Sequence, residues 1–367
     1  MSNQDFAYIV PCKTVDETTK AIVNALQKTY ESRGANVPEI HIFTKGESDW
    51  LEKFKKDLSK PESVIFHLTD GGAFHKMAAA VSVAEKFKYV AFTTADDLTF
   101  YSPEDIQRSV DGGWAVTVGH FMLARPTRNK GFRIFRGWTH FSQYMGNAPG
   151  IERLITYIGE GPHTVWACYN AQYFRSVARM TTDLIDILEN NELNIIEDCI
   201  NLVNLMASDR HSRDSLSLRF MDGNYSARQD FVPSWVVYEQ ISMHEKLGRV
   251  CGSISAHLDR ARALGVSTLE FGNDTIATLL KAHCNGYRAA RSRKWREWID
   301  VDFNPFLPPR LGVSQSRDPE NPYLNVFDWH GDAEIREKFP LTCWLSDENI
   351  VRFIRSVPKD VWLNKSA

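Results

Sequence analysis

Roughly the first 110 residues alternate between two hydrophobic periods. Short apolar or β-rich runs at Phe6–Val10, Glu39–Phe43, Ser63–Leu68 and Tyr89–Thr93 read as strands. Between them lie stretches of helical spacing. Ala21, Ile22, Ala25, Leu26 and Tyr30 share a face within 18–30, a polar helix is predicted near 50–58, and a single helix over 73–87. Strands that alternate with helices imply βαβ units, a parallel sheet and right-handed crossovers. Ligands of such sheets bind beyond the carboxyl ends of the strands, which marks the loops 11–14, 44–49, 69–74 and 94–101.

The pattern then changes. Strands are predicted at 114–118 and 131–135 among long loops, an apolar run at 164–169 precedes a helix near 173–180, and a strand falls near 215–220. Residues 193–206 form the strongest helical pattern, with Ile196, Ile200 and Val203 on one face. The chain reads as helical to about Trp298, Pro- and Asn-rich over 300–328, and helical again over 346–356. No internal repeat is present.

The 367 residues amount to about two domains, or one large α/β domain with an extension. Hydrophobic residues at 43% and charged residues at 24% exclude a disordered chain, a collagen-like repeat and a coiled coil. A net charge of −3 gives no argument for a nucleic-acid partner. The local distribution is less bland. Gly112 to Ile151 contains no acid but carries Arg125, Arg128, Lys130, Arg133 and Arg136. These bases either line an anionic donor or acceptor or form a solvated rim, and Trp138, His140 and Tyr144 among them either stack on a sugar or belong to the core. Lys281–Trp298 sets six bases against Glu297 alone, with Tyr287, Trp295 and Trp298 interleaved. That stretch suits an anionic membrane surface or a lipid-diphosphate acceptor, or equally a solvated helix face.

The six cysteines have no C-x-x-C spacing, which fits buried free thiols in a reducing compartment. No apolar run approaches the ~20 residues of a spanning helix, and the N-terminus has no signal-peptide pattern. The expected location is cytoplasmic, with peripheral contact at the inner membrane face left open.

Two carboxylate pairs carry the candidate chemistry. Thr94-Ala95-Asp96-Asp97 follows a buried strand, where adjacent carboxylates need a compensating cation or donors; a hard divalent ion answers that need. The plainer reading is a loop leading into a helix capped at Ser102-Pro103-Glu104-Asp105. Glu197-Asp198 opens the 193–206 helix, where the macrodipole stabilises an anion and a base can be poised, or where first-turn electrostatics alone is served.

Taken in order, the four strand-end loops, Ala91-Phe92-Thr93-Thr94-Ala95-Asp96-Asp97, and Ile195-Ile196-Glu197-Asp198-Cys199-Ile200-Asn201-Leu202 resemble the GT-A nucleotide-sugar glycosyltransferases. The likeness is greatest to glycosyltransferase family 2 and its bacterial surface-polysaccharide relatives, and covers roughly Phe6 to Arg228. The resemblance implies an α/β, Rossmann-like, mixed and mostly parallel sheet flanked by helices, with a helical then irregular C-terminal extension. It divides the chain into a catalytic domain over 1–240, with a donor half to about 111 and an acceptor half over 112–240, and an extension over 241–367.

The same resemblance implies the site. Asp96 and Asp97 correspond to ligands of Mn²⁺ or Mg²⁺, with Thr94 where the family has its first Asp. Pro11, Cys12 and Lys13 match the first donor loop. Thr44 stands near the acidic residue that reads the base. Gly71, Gly72, His75 and Lys76 match the region beside the donor phosphates. Asp198 corresponds to the catalytic base with Glu197 beside it, and His330 to a C-terminal metal ligand. The expected activity is inverting, metal-dependent transfer from a nucleotide sugar, a nucleoside diphosphate sugar, to a glycan or lipid-linked glycan hydroxyl in surface polysaccharide synthesis. A sugar nucleotidyltransferase and a degenerate glycan-binding module of the same fold are the alternatives. The first disfavours itself by lacking a Gly-rich, basic first loop, and the second rests on Thr94.

Overall fold

The computed structural model describes residues 5–32, 34–46, 48–56, 58–95, 98–118, 120–126, 132–136, 164–207, 218–222, 245–282 and 326–328. The chain is an α/β protein whose described residues form two sheets. The larger contains β1 (Phe6–Pro11), β2 (Glu39–Thr44), β3 (Val64–Leu68), β4 (Tyr89–Phe92), β6 (Val116–Thr117) and β9 (Cys168–Asn170), in the spatial order β3-β2-β1-β4-β9-β6. The first four are mutually parallel, with Tyr8 opposite Ile40 on one side and Ala91 on the other. β9 runs antiparallel to both β4 and β6. The parallel strands expected from the alternating pattern, and the mixed, mostly parallel sheet implied by the resemblance, are therefore present.

Burial on both faces explains why β1 reads as an unbroken apolar run: all six residues are buried. Phe6, Tyr8 and Val10 face a layer made by α1 (Glu17–Ser32), α2 (Ser48–Lys55) and α5 (Pro103–Gly112). Ala7 and Ile9 face the other layer. It holds the short helices α3 (Ala73–Ala79) and α4 (Val81–Ala84), then α6 (Ala171–Ile187), α7 (Ile195–Met206), α8 (Lys246–Ala263) and α9 (residues 273–282). α8 packs on α6 and buries Val250, Ile254 and Leu258 in the same core as the sheet.

The second sheet contains β5 (Leu98–Phe100), β7 (His120–Pro126), β8 (Phe132–Arg136), β10 (Leu218–Asp222) and β11 (Val326–Asp328), in the order β11-β8-β7-β10-β5. Among the described residues its only parallel pair is β10 with β7.

Three local readings are corrected. The helix expected over 73–87 is two helices, because Ala80 adopts φ −77° and ψ −2° and its N–H is shared between the carbonyls of Lys76 and Met77. The loop expected over 94–101 contains β5, which pairs with β10 more than 100 residues away. The long loop expected after 118 contains β7, whose partners β8 and β10 complete its ladders.

Candidate functional site

The carboxyl ends of the four parallel strands converge where the sheet order reverses: β1 leads outward to β2 and β3, whereas β4 returns to its other side. Main-chain bonds continue past the strand ends and bring the loops out together. Cys12 N–H donates to Phe43 O at 2.8 Å, Thr69 N–H to Thr44 O at 2.9 Å, and Thr93 N–H to Ile9 O at 3.0 Å.

Pro11 and Cys12 are buried there, and Lys13 is exposed. Thr44 is fully buried, and among the described residues its hydroxyl has no hydrogen-bond partner. The same holds for the Thr94 hydroxyl and for Nδ1 of half-buried His75. Orphaned buried polar atoms are uncommon, and three in the segments that follow or end the parallel strands mark a place with hydrogen-bonding capacity to offer. Gly71 turns the chain after β3 with φ +88°. Any Cβ there would stand 2.7 Å from both Cβ and Cγ of His75, so the turn requires glycine twice over. Gly72 then opens α3 and is exposed. Lys76 follows, 2% exposed, with its ammonium donating to Cys12 O at 2.5 Å. Burial lowers its pKa from the ordinary lysine value, opposed by Cys12 and Asp70.

The segment after β4 is pinned at both ends. Thr93 Oγ1 donates to Thr99 Oγ1 at 2.6 Å. Beyond β5, Tyr101 N–H donates to Tyr8 Oη at 2.9 Å, Tyr8 pairs with Tyr30 Oη at 3.0 Å, and Tyr30 donates back to Tyr101 O at 2.5 Å. Burial keeps both phenols un-ionised by raising their pKa values. The helix cap read from the sequence is present: Ser102 Oγ accepts from Asp105 N–H at 3.0 Å, with Pro103 in the first turn. Asp96 and Asp97 lie between these anchors but outside the described residues.

Glu197 and Asp198 occupy the first turn of α7, as the pattern suggested; Asp198 is 7% exposed. One turn further on the same face, Asn201 Oδ1 accepts from Val165 N–H and from Thr164 Oγ1, each at 3.0 Å. The 164–167 turn so held reaches β4, because Phe92 N–H donates to Ala167 O at 2.9 Å and the Trp166 and Phe92 rings stack 5.1 Å apart. α7 is thereby tied to the strand that ends two residues before Thr94.

His330, Trp138, His140, Tyr144, His163, His211, Arg128, Lys130, Cys284, Cys343, the 283–298 cluster, the Pro-rich 300–325 stretch and the 346–356 helix also fall outside the described residues. The register of the β7–β8 hairpin places Arg125 opposite Arg133. Cys12, Cys168, Cys199 and Cys251 are buried and form no disulfide among the described residues. Among the described residues no group of three or more His, Cys, Asp or Glu side chains could hold a metal, and no helix is long and apolar enough to cross a membrane.

Two features escaped the sequence reading. Asn201 and Asn204 are polar residues on a buried helix; Asn204 Nδ2 donates to Thr164 O at 2.9 Å and to Tyr169 Oη at 3.0 Å. A polar position inside an apolar helical pattern was the available signal. The second is a relay across β2 and β3: His41 Nε2–H donates to Glu39 Oε2 at 2.9 Å, so its Nδ1 accepts from His67 Nε2–H at 2.9 Å. Burial, then His67 and Lys86, push the His41 pKa down to about 4, and burial lowers His67 as well.

No family model matches the chain, and no curated protein does. Among solved structures it is similar to residues 1–349 of S. aureus TarS at 13% identity, with 71% of this chain and 74% of that one covered and a TM-score of 0.37. The same TarS fragment in complex with UDP-GlcNAc gives 13% identity, coverage of 71% and 73%, and a TM-score of 0.37. TarS over a greater length gives 12% identity, coverage of 97% and 55%, and a TM-score of 0.37.

Proposed function

We propose that the chain is an inverting, metal-dependent glycosyltransferase of GT-A type that moves a sugar from a nucleoside diphosphate donor to a hydroxyl of a glycan or lipid-linked glycan. What carries this reading is the alignment of the resemblance with the sheet. The segment leading to Asp96 and Asp97 leaves the carboxyl end of β4 at the point where the strand order reverses, and the helix bearing Asp198 is tied to that same strand through Asn201 and Trp166.

The donor set around Thr94 is all oxygen: two carboxylates, and a hydroxyl that is buried without a partner among the described residues. Such a set fits Mg²⁺ or Mn²⁺. Asp96 and Asp97 would hold the ion, with His330 a further candidate, and it would offset charge growing on the departing diphosphate. The remaining roles belong to the chain. Pro11–Lys13, Thr44 and Gly71–Lys76 frame the nucleotide. Asp198 accepts the proton of the acceptor hydroxyl as that oxygen bonds to the anomeric carbon. The bond from that carbon to the diphosphate oxygen breaks on the opposite face, which inverts the centre. The transition state has oxocarbenium character. Surface polysaccharide synthesis is the proposed setting, with the 281–298 cluster as a peripheral contact for an anionic lipid face.

The test is a thermal-shift panel of UDP-, GDP-, CDP- and dTDP-sugars, UDP-GlcNAc included, with and without Mn²⁺, followed by a nucleoside diphosphate release assay. A ligand at 100 times its dissociation constant stabilises by about 2.7 kcal/mol. Mn²⁺-dependent stabilisation with release of the diphosphate is expected. Binding without release would leave a sugar-nucleotide-binding module, consumption of nucleoside triphosphate a nucleotidyltransferase, and a silent panel would end the reading.

A further inference from the structure

Every polar atom of Cys12 is engaged. Its N–H donates to Phe43 O at 2.8 Å, its thiol donates to Thr14 O at 2.9 Å and lies 3.7 Å from Thr19 Oγ1, and its carbonyl accepts from Lys76 Nζ at 2.5 Å. Thr19 is itself fastened to Asp16 Oδ1 through its N–H at 2.8 Å and its hydroxyl at 3.1 Å. The loop between β1 and α1 is thus held from β2, from α1 and from α3.

The α3 anchor is physically costly. Lys76 places an ammonium in a nearly inaccessible position, and among the described residues no carboxylate comes within ion-pair distance of it. Asp70 acts on it only at longer range and is paired with Lys45 at 3.2 Å. An unbranched apolar side chain of similar volume would avoid that desolvation. What Lys76 alone supplies is a charged donor to one main-chain carbonyl, in the loop at the carboxyl end of the central strand.

We propose that Lys76 is a positioning residue, whose bond to the Cys12 carbonyl sets the 12–16 loop in its nucleotide-receiving shape before ligand arrives. The sugar-nucleotide reading supplies the ligand; the strut itself stands on the contacts above. Shape fixed in advance lowers the ordering cost of binding.

Lys76→Met and Lys76→Arg separate this role from simple stability. Amide hydrogen exchange on the ligand-free protein reads the Cys12 and Thr19 amides, with those of Phe6–Val10 and Tyr89–Phe92 as internal controls. UDP, GDP, CDP and dTDP are titrated with Mn²⁺ in parallel. Lys76→Met is expected to melt no lower than the parent, yet to exchange at Cys12 and Thr19 at least about 10-fold faster and to bind the preferred diphosphate about 10-fold more weakly. Lys76→Arg is expected to recover most of both. Unchanged exchange at Cys12 and Thr19, or equal acceleration across β1 and β4, overturns the strut. If the parent binds none of the four diphosphates, the sugar-nucleotide reading fails on its own account, and the exchange comparison still decides the role of Lys76.

Discussion

Asn201 Oδ1 accepts the main-chain N–H of Val165 at 3.0 Å, and through that bond a helix and a turn 36 residues apart are locked together beside β4. The same oxygen accepts from Thr164 Oγ1 at 3.0 Å, and Asn201 is 3% exposed. Replacing Asn201 by Ala leaves a buried amide without an acceptor, which costs about 1–3 kcal/mol. A lower urea midpoint with an unchanged slope is expected for Asn201→Ala, and a smaller loss for Thr164→Val, which keeps the Val165 bond. Equal midpoints for Asn201→Ala and the parent would show that the turn does not depend on it.

Gly71 is the second sensitive position. Its φ of +88° disfavours any L side chain, and the nearest obstruction is the Cβ of His75 rather than a flexible chain end. Gly71→Ala is expected to destabilise by about 1–3 kcal/mol. The double variant Gly71→Ala/His75→Ala retains the backbone cost but loses the ring contact. A thermal melt in which the double variant falls as far as the sum of the two single changes would show that the His75 ring adds nothing to the cost beyond the Cβ contact, which alanine keeps.

The central sheet was legible because a strand buried on both faces is apolar throughout; β1 and β4 bury every residue. The Ser102 cap and the acidic first turn of α7 were legible because such signals are local in sequence. β5 was not: a three-residue strand acquires its identity from β10, which no local pattern announces. The break at Ala80 carries no Gly or Pro. For Lys76 the sequence placed the residue beside the candidate site but could not say that its ammonium turns to a carbonyl 64 positions earlier.

Acid sensitivity follows from two buried imidazoles. His41 faces Glu39, His67, Lys86 and the edge of Phe87; His257 faces Ser176, Arg260 and the edge of Tyr173. Burial is the leading cause for both, and each is pushed down from 6.5 to about 4. Unfolded chains bind these protons at the higher pH, so the unfolded state carries more protons between the two values. Stability therefore holds above pH 6.5 and is lost as pH falls toward 4, by an upper limit of about 3 kcal/mol for each histidine. Urea midpoints measured from pH 7 to 4.5 should decline across this window, and His41→Gln should decline less steeply. A flat profile for the parent would contradict neutral burial of these rings.

Asp198→Asn isolates the proposed chemistry. Asn has the size of Asp but no basic oxygen, and the first turn of α7 keeps its packing through Ile195, Ile196 and Cys199, all fully buried. Donor binding, read by thermal shift, should be retained. Release of nucleoside diphosphate should fall by ~10²-fold or more, the scale of general-base catalysis. Glu197→Gln, one position along and half-buried, should lose less, since the resemblance makes it the neighbour of the base. Near-parent turnover in Asp198→Asn would remove Asp198 from the mechanism, and an equal loss in both variants would point instead to the charge of the whole helix turn.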